Sequence, residues 1–97
     1  MQTAVEIPKA LAGHADRLRD LKVRALYLFG SAARDELGPE SDLDFVVEFA
    51  PGAGFDEYMD LKFLLEELFG RRVDLVTKKA LKERLRPVFE REGVRVA

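Results

Sequence analysis

Residues 42–49 read DLDFVVEF. Side chains alternate from face to face along an extended chain, so Leu43, Phe45, Val47 and Phe49 share one face. Asp42, Asp44, Val46 and Glu48 share the other. That pattern predicts a strand over Asp42 to Phe49, apolar on its core side and open to water on the side of the two aspartates. Few folds satisfy it: the apolar face must be covered by helices, and two like charges must be kept at the start of a strand, where they add nothing to packing.

The neighbouring segments supply the rest of a sheet. Val23 to Phe29 is an apolar run too short for a helix and ended by Gly30, which predicts a buried strand. Arg72 to Val76 predicts a third strand, with Val73 and Leu75 facing the core and Asp74 on the open side. Residues 93–97 either add a short fourth strand or hang free. Helices are predicted over Pro8 to Leu21, where Leu11, Ala15, Leu18 and Leu21 recur at helical spacing, and over Asp56 to Phe69. In the second, Met59, Leu61, Phe63, Leu64, Leu65 and Leu68 are expected to face the core, and Gly70 ends the helix as a C-terminal cap. Ser31 is expected to cap a short helix over residues 32–36, stopped by Gly38-Pro39. A last helix over Lys78 to Arg91 is expected to kink at Pro87. The expected class is therefore α+β: an α/β sandwich with a small mixed sheet of three to four strands and helices packed on one face.

At 97 residues, 47% apolar and 35% charged, the chain has the proportions of one globular domain over residues 1–97. No run approaches the roughly 18 apolar residues of a membrane span. The N-terminus lacks the layout of a signal peptide, so the cytoplasm is the default location. With no cysteine, disulfides and thiolate metal sites are excluded. The net charge of −2 hides an asymmetry: nine acidic residues and no Lys or Arg between Asp35 and Asp60, then nine basic residues against four acidic between Arg71 and Arg95. One half could hold cations, and the other could meet a phosphate or an acidic partner.

Asp42 and Asp44 lie side by side on their strand and can bind the same divalent ion, with Asp74 joining them from the third strand. Such hard oxygen donors, with His14 as the sole imidazole, favour Mg²⁺ or Mn²⁺ over Zn²⁺. Three carboxylates allow two ions roughly 3.5–4 Å apart, the clamp used for in-line phosphoryl and nucleotidyl transfer. Gly30 lets a phosphate approach the backbone, and the Ser31 hydroxyl and the helix that follows supply donors. Arg34 could reach the same anion with its fork of N–H groups. More ordinary readings hold elsewhere: His14 as a surface residue, Tyr58 as packing or rim, Glu48 as solvated, and Lys78, Lys79 and Lys82, which could brace a phosphate, as a solvated helix start.

Gly-Ser, ten intervening residues and then Asp-Leu-Asp resembles the GSx10DxD signature of the DNA polymerase β-like nucleotidyltransferase superfamily. VDLV around Asp74 resembles the strand of its third carboxylate. The GSAAR form of the first motif and the short chain are similar to the minimal nucleotidyltransferases, the MntA-like antitoxins. The resemblance runs from about Val23 to Arg86. It implies ATP or another NTP as substrate, Mg²⁺, and transfer of a nucleoside monophosphate to an acceptor hydroxyl. In the family's toxin–antitoxin systems that hydroxyl belongs to a tyrosine of a HEPN-domain ribonuclease. Gly30 and Ser31 would then bind the triphosphate with Arg34 assisting, Asp42 and Asp44 would hold metal, and Asp74 would complete the site and help deprotonate the acceptor. The family often has Gly after that arginine, where this chain has Asp35.

Three functions of different classes follow as expectations: a transferase acting on a partner toxin, a non-catalytic antitoxin that works by contact, and a small-molecule (antibiotic-type) nucleotidyltransferase. Direct action on nucleic acid is disfavoured by the acidic balance and the lack of a duplex-binding region. A lone domain of this size would leave its metal face open, so a partner protein or a second copy is expected to cover it, as a homo- or hetero-oligomer.

Overall fold

The computed structural model describes residues 6–30, 42–81 and 83–97. The expected helix over residues 32–36, with its Ser31 cap and Gly38-Pro39 stop, lies outside them. The chain opens with α1 (Glu6–Ala12) and α2 (Ala15–Asp20), then β1 (Val23–Phe29) and β2 (Leu43–Phe49). Next come α3 (Phe55–Phe69) and β3 (Val73–Thr77). Two 3₁₀ turns (Lys78–Ala80 and Glu83–Leu85), α4 (Arg86–Glu92) and β4 (Val94–Arg95) complete it. The strands form one mixed sheet in the order β3-β2-β1-β4, with β1 antiparallel to both β2 and β4 and β2 parallel to β3. The expected α+β class and small mixed sheet are what the structure shows, and of the two readings of residues 93–97 it shows the short fourth strand.

A parallel pair needs a crossover, and α3 supplies it. Glu57 accepts the Gly54 N–H at 2.6 Å at the start of α3, and Gly70 ends it in the left-handed region at φ +64. Leu61, Leu65 and Phe69 of α3 are buried with Ile7, Leu11, Leu18 and Leu21 of the N-terminal helices against Leu26, Leu28, Leu43, Phe45, Val47, Val73 and Leu75 of the sheet. The ring of Phe69 stacks on Phe45, centroids 6.2 Å apart. These helices cover one face of the sheet, as the alternation in β2 requires.

Four expectations change in detail. The first helix is two, broken at Gly13-His14, where His14 N–H donates to the Leu11 carbonyl and Leu11 and Leu18 can then both reach the core. Phe63 does not face the core: it is 56% exposed, because the buried stripe of α3 is Leu61, Leu65 and Phe69. Pro87 stands in the first turn of α4 instead of kinking a longer helix, the position where its missing N–H costs nothing. Finally, the second face of the sheet is open only in part. Val46, expected there facing water, is buried with Leu81 and Phe89 in a small cluster that also takes in Tyr27, Phe29 and Val76. Phe89 stands edge-on to Tyr27, with centroids 5.2 Å apart.

Among the described residues no helix is long and apolar enough to cross a membrane. The two sides of α3 make opposite predictions. Leu65→Ala should lower the unfolding free energy by about 2–5 kcal/mol, whereas Phe63→Ala should stay within about 0.5 kcal/mol of wild type. Urea titration followed by circular dichroism measures both.

Candidate functional site

Beyond the edge of the Phe89 cluster, the second face keeps a row of polar groups. In the β1–β2–β3 register Phe29 stands opposite Asp44, and Asp44 opposite Asp74. Neighbouring strands are about 4.8 Å apart, so Asp44 and Asp74 carry two carboxylates at adjacent positions on one face. Asp44 is half-buried and Asp74 is exposed. The same row marks the end of β1 and the start of β2 and β3, so loops leave the sheet here and backbone groups become accessible.

Gly30 follows Phe29 at φ +76, in the left-handed region. A Cβ on Gly30 would lie 2.5 Å from Asp44 Oδ2 and 3.3 Å from its Cγ. Two independent constraints thus demand glycine: the backbone angle and the carboxylate pressed against it. The Gly of the Gly-Ser pair and the second Asp of Asp-Leu-Asp, fourteen positions apart in the chain, meet in space.

Asp42 sits just before β2 and is exposed. Its Oδ1 is 3.4 Å from Arg72 Nε, and Leu43 N–H donates to the Arg72 carbonyl at 3.0 Å. Arg72 was not singled out from the sequence. The parallel register supplies the signal: Leu43 pairs with Val73, so residues 42 and 72 are lateral neighbours. Arg72 is largely in water and Asp42 about half so, and the pair contributes about 1 kcal/mol or less, weak enough to be exchanged for another partner.

Ser31, Arg34 and Asp35 lie outside the described residues. Among the described residues no group of three carboxylate or imidazole side chains is gathered into a ready-made metal cage. What the structure brings together is Gly30, Asp44 and Asp74, with Asp42 nearby and held by Arg72. That donor set is carboxylate oxygen alone, on adjacent strands and facing solvent. It fits a hard divalent cation that takes its remaining ligands from water or from a bound phosphate.

The remaining residues weighed in the sequence fall elsewhere. Glu48 carries ion-pair contacts at 3.9 Å to both Arg24 and Lys78, so it is not merely solvated. Tyr58 donates its hydroxyl proton to the Leu75 carbonyl. His14 is half-buried, with Nδ1 3.2 Å from the Ala10 carbonyl oxygen.

With this geometry in hand, comparison with known proteins is specific. The family model for the nucleotidyltransferase domain matches residues 11–96. Protein adenylyltransferase MntA of Thermococcus cleftensis is 38% identical over 97 residues, covering 99% of this chain and 98% of that protein. A Methanocaldococcus jannaschii protein provisionally named a protein adenylyltransferase is 44% identical over 84 residues, 84% of each chain. A solved structure provisionally described as a minimal nucleotidyltransferase superposes with a TM-score of 0.82 at 31% identity, covering 97% of this chain and 96% of the other. The fold is shared more distantly with a structure of the tri-AMPylated Shewanella oneidensis HEPN toxin in complex with MNT antitoxin. There the TM-score is 0.65 at 22% identity, over 94% of this chain and 71% of that one.

Gly30→Ala tests the contact at the centre of the site. The left-handed angle alone should cost about 1–2 kcal/mol, and the Asp44 carboxylate must also move. Urea denaturation should show a loss of at least that size, and Asp44→Ala in the Gly30→Ala background should recover part of it.

Proposed function

The chain belongs to the nucleotidyltransferase-domain family, and from that premise we propose that it transfers AMP from ATP to a hydroxyl group of a partner protein, a HEPN-type toxin whose antitoxin it is. The observation that carries this reading is the seating of Gly30 against the Asp44 carboxylate with Asp74 alongside. The names of its relatives support AMP as the group and protein as the acceptor, and the distant toxin–antitoxin fold supports the HEPN partner.

In this reading Asp44, Asp74 and Asp42, whose contact with Arg72 is weak enough to give up, would hold Mg²⁺. Two Mg²⁺ ions, or Mn²⁺ in their place, would neutralise charge on the triphosphate and on the attacking oxygen. Gly30 keeps that corner of the backbone low, so a phosphate can approach it, while Ser31 donates to the triphosphate and Arg34 assists. The acceptor oxygen attacks the α-phosphorus, the bond to the bridging oxygen of pyrophosphate breaks, and the acceptor proton passes to the Asp74 side. The products are the AMP ester and pyrophosphate. Asp74 is the most accessible of the strand carboxylates, as a base serving a macromolecular acceptor must be. The reaction would take place in the cytoplasm, with the toxin covering the carboxylate face.

The test uses purified chain, α-labelled ATP, Mg²⁺ and the toxin encoded beside it. Label should pass to the toxin, disappear with EDTA, and fall by more than about 100-fold in the Asp42→Ala, Asp44→Ala double variant. Intact toxin binding with no label from any of the four NTPs would overturn catalysis in favour of neutralisation by contact. Efficient labelling of free small molecules with none on the toxin would point to the small-molecule transferase instead.

A further inference from the structure

At the other end of the same sheet lies a second concave site, of about 620 Å³. It is bounded by the finish of β2, the turn at residues 50–53, the finish of β3 and the first turn of α4. Four basic side chains line it, Arg24, Lys78, Lys79 and Arg86, against one carboxylate, Glu48. Three residues of the basic half of the sequence, Lys78, Lys79 and Arg86, thus meet Arg24 at the end of the sheet away from Asp44 and Asp74.

The charges in this cleft are not balanced internally. Glu48 is shared between Arg24 and Lys78, each 3.9 Å away, and Lys78 also lies 5.9 Å from the Tyr27 ring centre. Lys79 and Arg86 have no ion-pair or hydrogen-bond partner among the described residues, although Arg86 is half-buried. A guanidinium partly withdrawn from water and an unpaired ammonium, lining one concave wall, present donors suited to an anion. The far wall is backbone: the Pro51-Gly52 turn is held in place by Lys22, whose Nζ donates to the Gly52 carbonyl at 3.1 Å. The volume falls within the range of small-ligand pockets, about 300–1,000 Å³.

This cleft is separate from the carboxylate site. Asp44 and Glu48 are four positions apart on an extended strand, about 13 Å at 3.3 Å per residue. The Val46, Leu81 and Phe89 cluster stands on the face between them.

We infer that this cleft is a second phosphate-binding site, holding a phosphorylated ligand of nucleotide size on Arg86 and Lys79, with Arg24 and Lys78 at its rim. It does not rest on the proposed transferase activity, and its test reads binding alone.

The experiment is a titration of the full chain, ¹⁵N-labelled and in EDTA, with AMP and separately with inorganic pyrophosphate, followed by amide chemical shifts. Shifts at Ala50, Gly52, Ala53, Lys79 and Ala80 should saturate with a midpoint of about 1 mM or below. In the Lys79→Gln, Arg86→Gln variant that midpoint should rise at least about tenfold, the equivalent of about 1.4 kcal/mol. It should be unchanged in Asp44→Asn. Thermal melts of the double variant should match wild type, since neither side chain has a partner to lose. Equal response to both probes would assign the site to phosphate alone, and response to AMP only would add the nucleoside to the recognised group. No shift at these amides with about 20 mM of either probe, or shifts that persist in the double variant, would overturn the site.

Discussion

The parallel pairing of β2 with β3 is the constraint on which the rest of this structure depends. It is made by α3, which crosses over the sheet and buries Leu61, Leu65 and Phe69 against it. Side chains of α3 also fasten the edge strand it delivers. Glu66 Oε2 accepts the Val73 N–H at 3.1 Å, and the Tyr58 hydroxyl donates to the Leu75 carbonyl. Those are groups of a strand with no further strand beside it among the described residues, so the helix satisfies what a sheet partner would. A slip of one residue in this register would put Asp74 into the core and Val73 and Leu75 into water. The apolar faces of both strands forbid that slip, and by forbidding it they set Asp74 beside Asp44.

From this register follows a division of charge along the sheet. Carboxylates occupy the end where β2 and β3 begin, and basic groups occupy the end where they finish, with apolar residues under Leu81 and Phe89 between. Like charges are tolerable at the first end because Asp42 and Asp74 are in water and Arg72 stands beside Asp42. The two ends thus suit ions of opposite sign: carboxylate oxygens gather at one, and basic side chains outnumber Glu48 at the other.

Much of this was legible along the chain because it depends on local periodicity. The alternation in DLDFVVEF, the glycine after LYLF and the glycine after ELF are each decided within a few residues. What escaped was decided by residues distant in sequence. Phe63 and Leu65 look equally fit for a core, and only the direction from which α3 meets the sheet excludes the first. Val46 was given to water because nothing near it in the chain announces Phe89, 43 positions away. Pro87 signals a break in any helical pattern; whether it kinks or begins a helix depends on how the preceding turns pack.

The sequence by itself determined the strands, the core-facing sides of β2 and β3, the helix between them, and the spacing of Gly30, Asp42, Asp44 and Asp74. These are matters of backbone preference and of period-two or helical repetition, which act locally. Only the tertiary structure decided that Asp44 lies against Gly30, that Arg72 answers Asp42, that α4 closes half of the second face, and that Arg24, Lys79 and Arg86 line one cleft. Those relations come from strand register and from the burial of Phe89 and Leu81, and a register exists only once separate segments have packed together.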